Sequence, residues 1–205
     1  MEHAFHIYNK MAADGVSMAV DKLLHLNEQC KKTKTTGAGT NSLLECKPPV
    51  IVCVGSDLAI GDSLGPIVGS MLKFKTQGLN VFLYGTLAAP VTAKEIRYVR
   101  TFLKETHPER QVIAIDAAVG DEGDIGLIKI NDTPLMPGAG ANKQLGSLGD
   151  ISIMGVVAEK SITNYGLLNT TRLNLVYGMA EIVSDGLAAL LWERCSRQKD
   201  NKKDA

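Results

Sequence analysis

Aromatic residues are scarce in this sequence, at 5% of 205 positions, and neither sign of charge prevails: 22 Lys and Arg stand against 22 Asp and Glu. A zero balance removes the broad electrostatic pull that dedicated nucleic-acid or membrane-surface binders use, so neither partner is expected. Long apolar runs are also lacking, and none approaches the roughly 20 residues that cross a bilayer. The N-terminal stretch MEHAFHIYNKMAADG shows no basic start followed by an apolar segment, which argues against a secretory signal. Cys30, Cys46, Cys53 and Cys195 form no CxxC pair and no metal-knuckle spacing. Cys53 falls inside an apolar run and reads as a small buried hydrophobe. Together these absences predict a cytoplasmic protein. Histidine is limited to His3, His6, His25 and His107.

What is present is a periodic apolar pattern. A hydrophobic share of 45% can fill one sizeable core. Val16 to Cys30 reads as an amphipathic helix, followed by a Thr-, Gly- and Lys-rich stretch that reads as a linker. Residues 1–48 are therefore expected to form an N-terminal helix and flexible linker, an appendage to the core. From Val50 strands and helices alternate. Residues 50–55 (VIVCVG) and 111–119 (QVIAIDAAV) are continuously apolar, as parallel strands buried on both faces are. Residues 80–86 and 151–157 also read as strands, and 125–130 as an edge strand or half of a hairpin. Helices are expected from Pro66 to about Thr76, from Thr92 to Thr106, and from Leu168 to about Arg197. This alternation predicts an α/β domain over 49–198 with a mainly parallel sheet, and a polar tail over 199–205.

Three loops that follow predicted strands carry candidate chemistry. Ser56 to Pro66 contains Ser56, Asp57, Asp62 and Ser63. Ile115 to Asp121 contains Asp116. Pro137 to Lys143 contains Gly138, Gly140 and Asn142. Ligands in open α/β sheets sit at the carboxyl ends of strands, where the connections change direction. Right-handed crossovers would flank the 50–55 strand with 80–86 on one side and 111–119 on the other. Asp62 and Asp116 would then line one crevice. Plainer roles exist for each: Asp62 as the cap of the following helix, Asp116 as the strand's exit to solvent, and Pro137, Gly138 and Gly140 as a tight turn.

Other chemistries fit less well. Gly138-x-Gly140-x-x-Lys143 lacks the spacing and the Lys-Ser/Thr ending of a phosphate loop. Gly61-Asp62-Ser63-Leu64-Gly65 matches the GxSxG elbow of serine hydrolases, but six residues separate Gly55 from Asp62 and no histidine follows Asp116. Asp62, Asp116 and Asp121 could offer oxygen ligands to a hard cation, with no His or Cys beside them in sequence. No cofactor is expected.

Read together, Gly61 to Pro66, Ile113 to Ala117, Pro137 to Lys143 with Leu148-Gly149, and Ile151 to Val157 resemble the spore germination protease family. The likeness is greatest to its short relatives, described as sporulation proteins or spore proteases. More distantly the chain resembles hydrogenase maturation proteases, which carry an acidic residue at the position of Asp62. The resemblance implies a three-layer α/β/α, phosphorylase/hydrolase-like fold and a peptidase-like 49–198 domain. It further implies hydrolysis of small acid-soluble spore proteins by an aspartate dyad matching Asp62 and Asp116, a forespore or spore-core setting, and a homo-oligomer. Ser56, Asp57, Ser63, Gly138, Gly140 and Asn142 would bind the protein or peptide substrate. The chain is far shorter than the germination protease, and its N-terminal segment matches no autoprocessing region. A non-catalytic sporulation factor that binds a peptide in the same cleft, and a metal-dependent maturation-type protease, are the alternatives.

Two nearby carboxylates can share one proton, one activating water while the other polarises a peptide carbonyl. Asp62, near a helix N-terminus, is expected to ionise more easily than usual. Asp116, leaving a buried strand, is expected to resist ionisation.

Overall fold

The computed structural model describes residues 1–35, 47–137, 146–160 and 171–201. Its elements in chain order are β1 (Glu2–His6), α1 (Ala12–Thr35), β2 (Val50–Cys53), α2 (Leu64–Lys75), β3 (Phe82–Tyr84), α3 (Ile96–Thr106), β4 (Val112–Gly120), β5 (Leu127–Asn131), β6 (Ile151–Glu159) and α4 (Leu173–Asn201). Short 3-10 turns occupy Gly61–Ser63 and Glu122–Asp124.

The six strands form one sheet in the order β1-β5-β6-β4-β2-β3. β3, β2, β4 and β6 run parallel, whereas β5 is antiparallel to both β6 and β1. β2 lies between β3 and β4, the arrangement expected for it. Alternate residues of a strand face opposite sides, and here both sides are apolar. Ile51, Cys53, Ile113, Ile115, Ile151 and Ile153 point into a core shared with α1, α2 and α4. Val50, Val52, Val112 and Ala114 point into a smaller core with α3. That is why these strands are continuously hydrophobic. The architecture is α/β/α with unequal layers, three helices against one among the described residues. Cys53 is fully buried, and burial pushes its thiol far above the ordinary range.

The N-terminal segment departs from expectation. Val16, Val20, Leu23 and Leu24 of α1 are buried in the larger core, so the helix is part of the domain and no appendage. Burying each such side chain is worth roughly 1.5–3 kcal/mol, more than enough to hold the helix down. Arg194 of α4, almost wholly buried, donates to Asp21 at 2.8 Å and Glu28 at 3.0 Å, clasping the two helices. β1 was not foreseen, because two histidines interrupt its five residues. It occupies the sheet edge and leaves β5 inside, so β5 is no edge strand; it pairs antiparallel with the next strand in sequence, β6, as the hairpin alternative expected.

The C-terminal helix also differs. Leu173–Ser196 is long and apolar enough, by length and composition, to cross a membrane, although no such run was apparent in the sequence. The reason is core burial: Val176, Met179, Ala180, Val183, Leu187, Leu190 and Leu191 pack into the larger cluster. The expected start at Leu168 lies outside the described residues, and the helix continues to Asn201, into the segment read as a tail.

Candidate active site

The site begins where β2 ends. Gly55 has φ +137°, a conformation that L side chains rarely adopt, and a Cβ there would stand 2.1 Å from the Asp62 carbonyl oxygen. The chain then loops and closes on itself. The Ser56 N–H donates to the Asp62 carbonyl at 3.0 Å, and the Asp62 N–H to the Ala59 carbonyl at 3.0 Å. α2 follows at Leu64, approaching so closely that a Cβ on Gly65 would lie 2.0 Å from the Val54 carbonyl oxygen. One turn later, a Cβ on Gly69 would lie 1.9 Å from that of Gly85. Main chain packs on main chain here, and this contact positions the Asp62 loop.

Asp62 does not cap α2. The N-cap is Ser63, which makes no side-chain capping bond. Ser63 is buried and its hydroxyl donates to the Ile60 carbonyl at 2.6 Å, so no serine nucleophile is presented. Ser56 accepts the Leu58 N–H at 3.2 Å and shapes the loop. Asp57 is exposed at the loop, and Leu58 beside it is 91% exposed. Gly138, Gly140 and Asn142 lie outside the described residues, as does the phosphate-loop likeness that contains them.

Asp116 is not at a strand end. It sits inside β4, in register with Met154 of β6. On the other side, pairing with β2 stops at Cys53 and Ile115, where the Val54 N–H donates to the Ile115 carbonyl at 2.7 Å. Asp116 is therefore the first β4 residue past the point where β2 turns away. The Gly61–Ser63 turn packs alongside β4 at this level. The two loops part here because α2 leaves toward β3 while β4 leads on toward β5 and β6. This is the switch point that topology anticipated.

The electrostatics differ from expectation in one respect. Burial raises the carboxyl of Asp62 above its ordinary range, and a backbone hydrogen bond from Ser56 offsets part of that rise. Asp62 was expected to ionise more easily, but it lies ahead of α2 and largely out of water, so desolvation outweighs the dipole. Asp116 is raised well above its ordinary value, first by burial and then by the charge of Asp62; the Ala117 N–H, donating to Oδ1 at 2.8 Å, opposes this. Asp116 is half-buried in the fold. No ion pair among the described residues reaches either aspartate. Two carboxyls thus feel one another, and they titrate as a pair.

The three-aspartate cation reading finds no support. Among the described residues no group of three His, Cys, Asp or Glu side chains is placed to hold a metal. His107 is engaged elsewhere, its Nε2 2.8 Å from the Tyr84 hydroxyl. The sequence reading missed the 85–91 loop. It joins the site through the Gly55 N–H, which donates to the Val91 carbonyl at 3.0 Å, and it exposes Leu87. The run Thr86-Leu87-Ala88-Ala89-Pro90 after a strand could have signalled it. Neither of the two surface clefts, beside α3 and beside β1, is lined by Asp62 or Asp116.

The chain is 42% identical over 142 residues to the uncharacterized protein YyaC of Bacillus subtilis (strain 168), covering 69% of each chain. Among solved structures, it is similar to the [NiFe] hydrogenase maturation protease HycI from Thermococcus kodakarensis KOD1, with a TM-score of 0.39 and 18% identity over 68% of this chain and 92% of that one. Residues 25–186 match the model of the family described as "Protein of unknown function (DUF1256)", and the chain belongs to that family.

Proposed function

We propose that the Asp62–Asp116 pair hydrolyses peptide bonds. The observation that carries this reading is the electrostatic coupling of two half-buried carboxyls at the sheet's switch point, with no ion pair to either among the described residues. Asp116 is raised further above its ordinary range and keeps the shared proton. Asp62 is then the carboxylate that takes a proton from water as its oxygen attacks the peptide carbonyl carbon. Asp116 donates a hydrogen bond to the carbonyl oxygen, on which negative charge develops. The C–N bond breaks as the leaving nitrogen receives the proton held by Asp62, which restores the starting charge state.

A protein substrate fits the exposed setting, with Leu58 and Leu87 on loops beside the aspartates as apolar contacts. The motif resemblance to spore germination proteases supports small acid-soluble spore proteins as substrates, a forespore setting and self-association.

The test is cleavage of a purified small acid-soluble spore protein by wild type, Asp62→Asn and Asp116→Asn, each checked for folding by circular dichroism. Wild type should cut and each variant should lose the activity. Full cleavage by either variant would sink the mechanism. The exposed Leu58 also favours a second reading, a sporulation factor that binds a peptide without cutting it. Wild type that binds the spore protein, leaves it intact and loses affinity on Leu58→Ser would replace hydrolysis with binding.

A further inference from the structure

We propose that the cleft between α3 and the entry of β6 binds a small phosphate-bearing anion. It lies at the amino ends of β4 and β6, opposite the aspartate pair, and encloses about 370 Å³. That is within the usual range of small-molecule sites. Arg100, Lys104, Arg110, His107, Ser147 and Asp150 contribute its polar lining. Three cations thus stand against one carboxylate, an excess that suits a doubly charged oxyanion.

The cations are placed for a ligand, and none of the three forms an ion pair among the described residues. Arg100 and Lys104, four residues apart on α3, share one helix face, where like charges repel. The Arg100 guanidinium lies over Gly146, where a Cβ would stand 1.9 Å from Nη1. Arg110 is held 4.8 Å above the Phe82 ring and donates through Nη1 to the Pro48 carbonyl at 2.7 Å. That bond uses one of the five donors of a guanidinium. Asp150 is occupied by the β4 main chain, its Oδ2 accepting the Val112 N–H at 2.8 Å. Two guanidinium forks with an ammonium beside them match phosphate better than a single carboxylate, because planar donors engage its oxygens in pairs. Since reaction centres of α/β sheets sit at the carboxyl ends, this cleft serves binding and does not compete with a substrate at Asp62.

The test uses the full chain and inorganic phosphate. Calorimetric titration, with sodium chloride of equal ionic strength as control, should show saturable phosphate binding, and ribose 5-phosphate should bind at least as tightly. The double variant Arg100→Gln/Lys104→Gln should weaken phosphate by about tenfold or more. The milder Lys104→Gln, at an exposed position, should weaken it measurably should the double variant not fold. In NMR titrations, bound phosphate should raise the pH at which the His107 ring protonates, as a nearby negative charge favours imidazolium. Binding no stronger than chloride, undiminished binding in Lys104→Gln, or affinity confined to a long polyanion such as heparin would overturn the proposal.

Discussion

Two aspartates bond to the main chain of β4, Asp150 from the segment that leads into β6 and Asp116 from within the strand, and they differ in what surrounds them. Asp150 stands at the strand's entry, its carboxylate accepting the Val112 N–H and its own N–H donating to the Val112 carbonyl at 2.7 Å. It shares its cleft with Arg100, Lys104 and Arg110. Asp116 accepts one N–H of the same strand at the same 2.8 Å, yet it faces another carboxyl. A matching hydrogen bond therefore says little about role. The neighbouring charge decides whether a carboxylate braces a strand or is held in a protonation state useful for chemistry.

The largest effect should fall on activity. Asp116→Asn and Asp62→Asn each remove half of a unit that works together, so cleavage rates should drop by at least about 10³-fold. Gly55→Ala should come next. It forces a side chain into a left-handed backbone position and against the Asp62 carbonyl, at a cost of roughly 3 kcal/mol. Chemical denaturation measures this, and a cost near zero would show that the loop does not hold Asp62 as described. Asp150→Ala leaves the Val112 N–H without its acceptor and should cost about 1–2 kcal/mol. Asp150→Asn, which keeps an acceptor, should cost less, and equal losses would break the bracing role.

The smallest effect has the opposite sign. Below the ordinary carboxylate range, both folded and unfolded chains hold the Asp116 proton. As pH rises, the unfolded chain releases it while the raised folded group does not, so stability falls until Asp116 itself ionises in the fold. Asp116→Asn should remove this loss. The variant should be more stable than wild type at neutral pH by on the order of 1 kcal/mol, with the gain fading as pH falls to about 4. Thermal melts across pH read this directly. A variant destabilised at every pH would mean that Asp116 is structural, like Asp150. Both carboxyls being raised, the acid limb of any cleavage activity should also lie above the ordinary carboxylate range.

Much of the sheet was legible because doubly buried strands leave continuous apolar runs, as in 50–55 and 111–119. The order of β3, β2 and β4 agrees with the expected flanking of β2 by its two successors. β1 was hidden because its five residues, EHAFH, show the half-buried pattern of an edge and no apolar run. α1 looked detachable because the stretch after it is polar, but sequence distance to the core is not spatial distance. At the site, both aspartates could be placed, whereas the sign of the Asp62 shift could not. Helix position suggests easier ionisation, and only the packed surroundings show that desolvation prevails.

The backbone contact between α2 and the ends of β2 and β3, made at Gly65 and Gly69, has a consequence for divergence. Where side chains mediate packing, each exchange of a core residue shifts the attached loop by some fraction of an ångström. At Gly65 and Gly69 no side chain intervenes, so the placement of Asp62 tolerates no side chain at either position, whatever else of the core is exchanged.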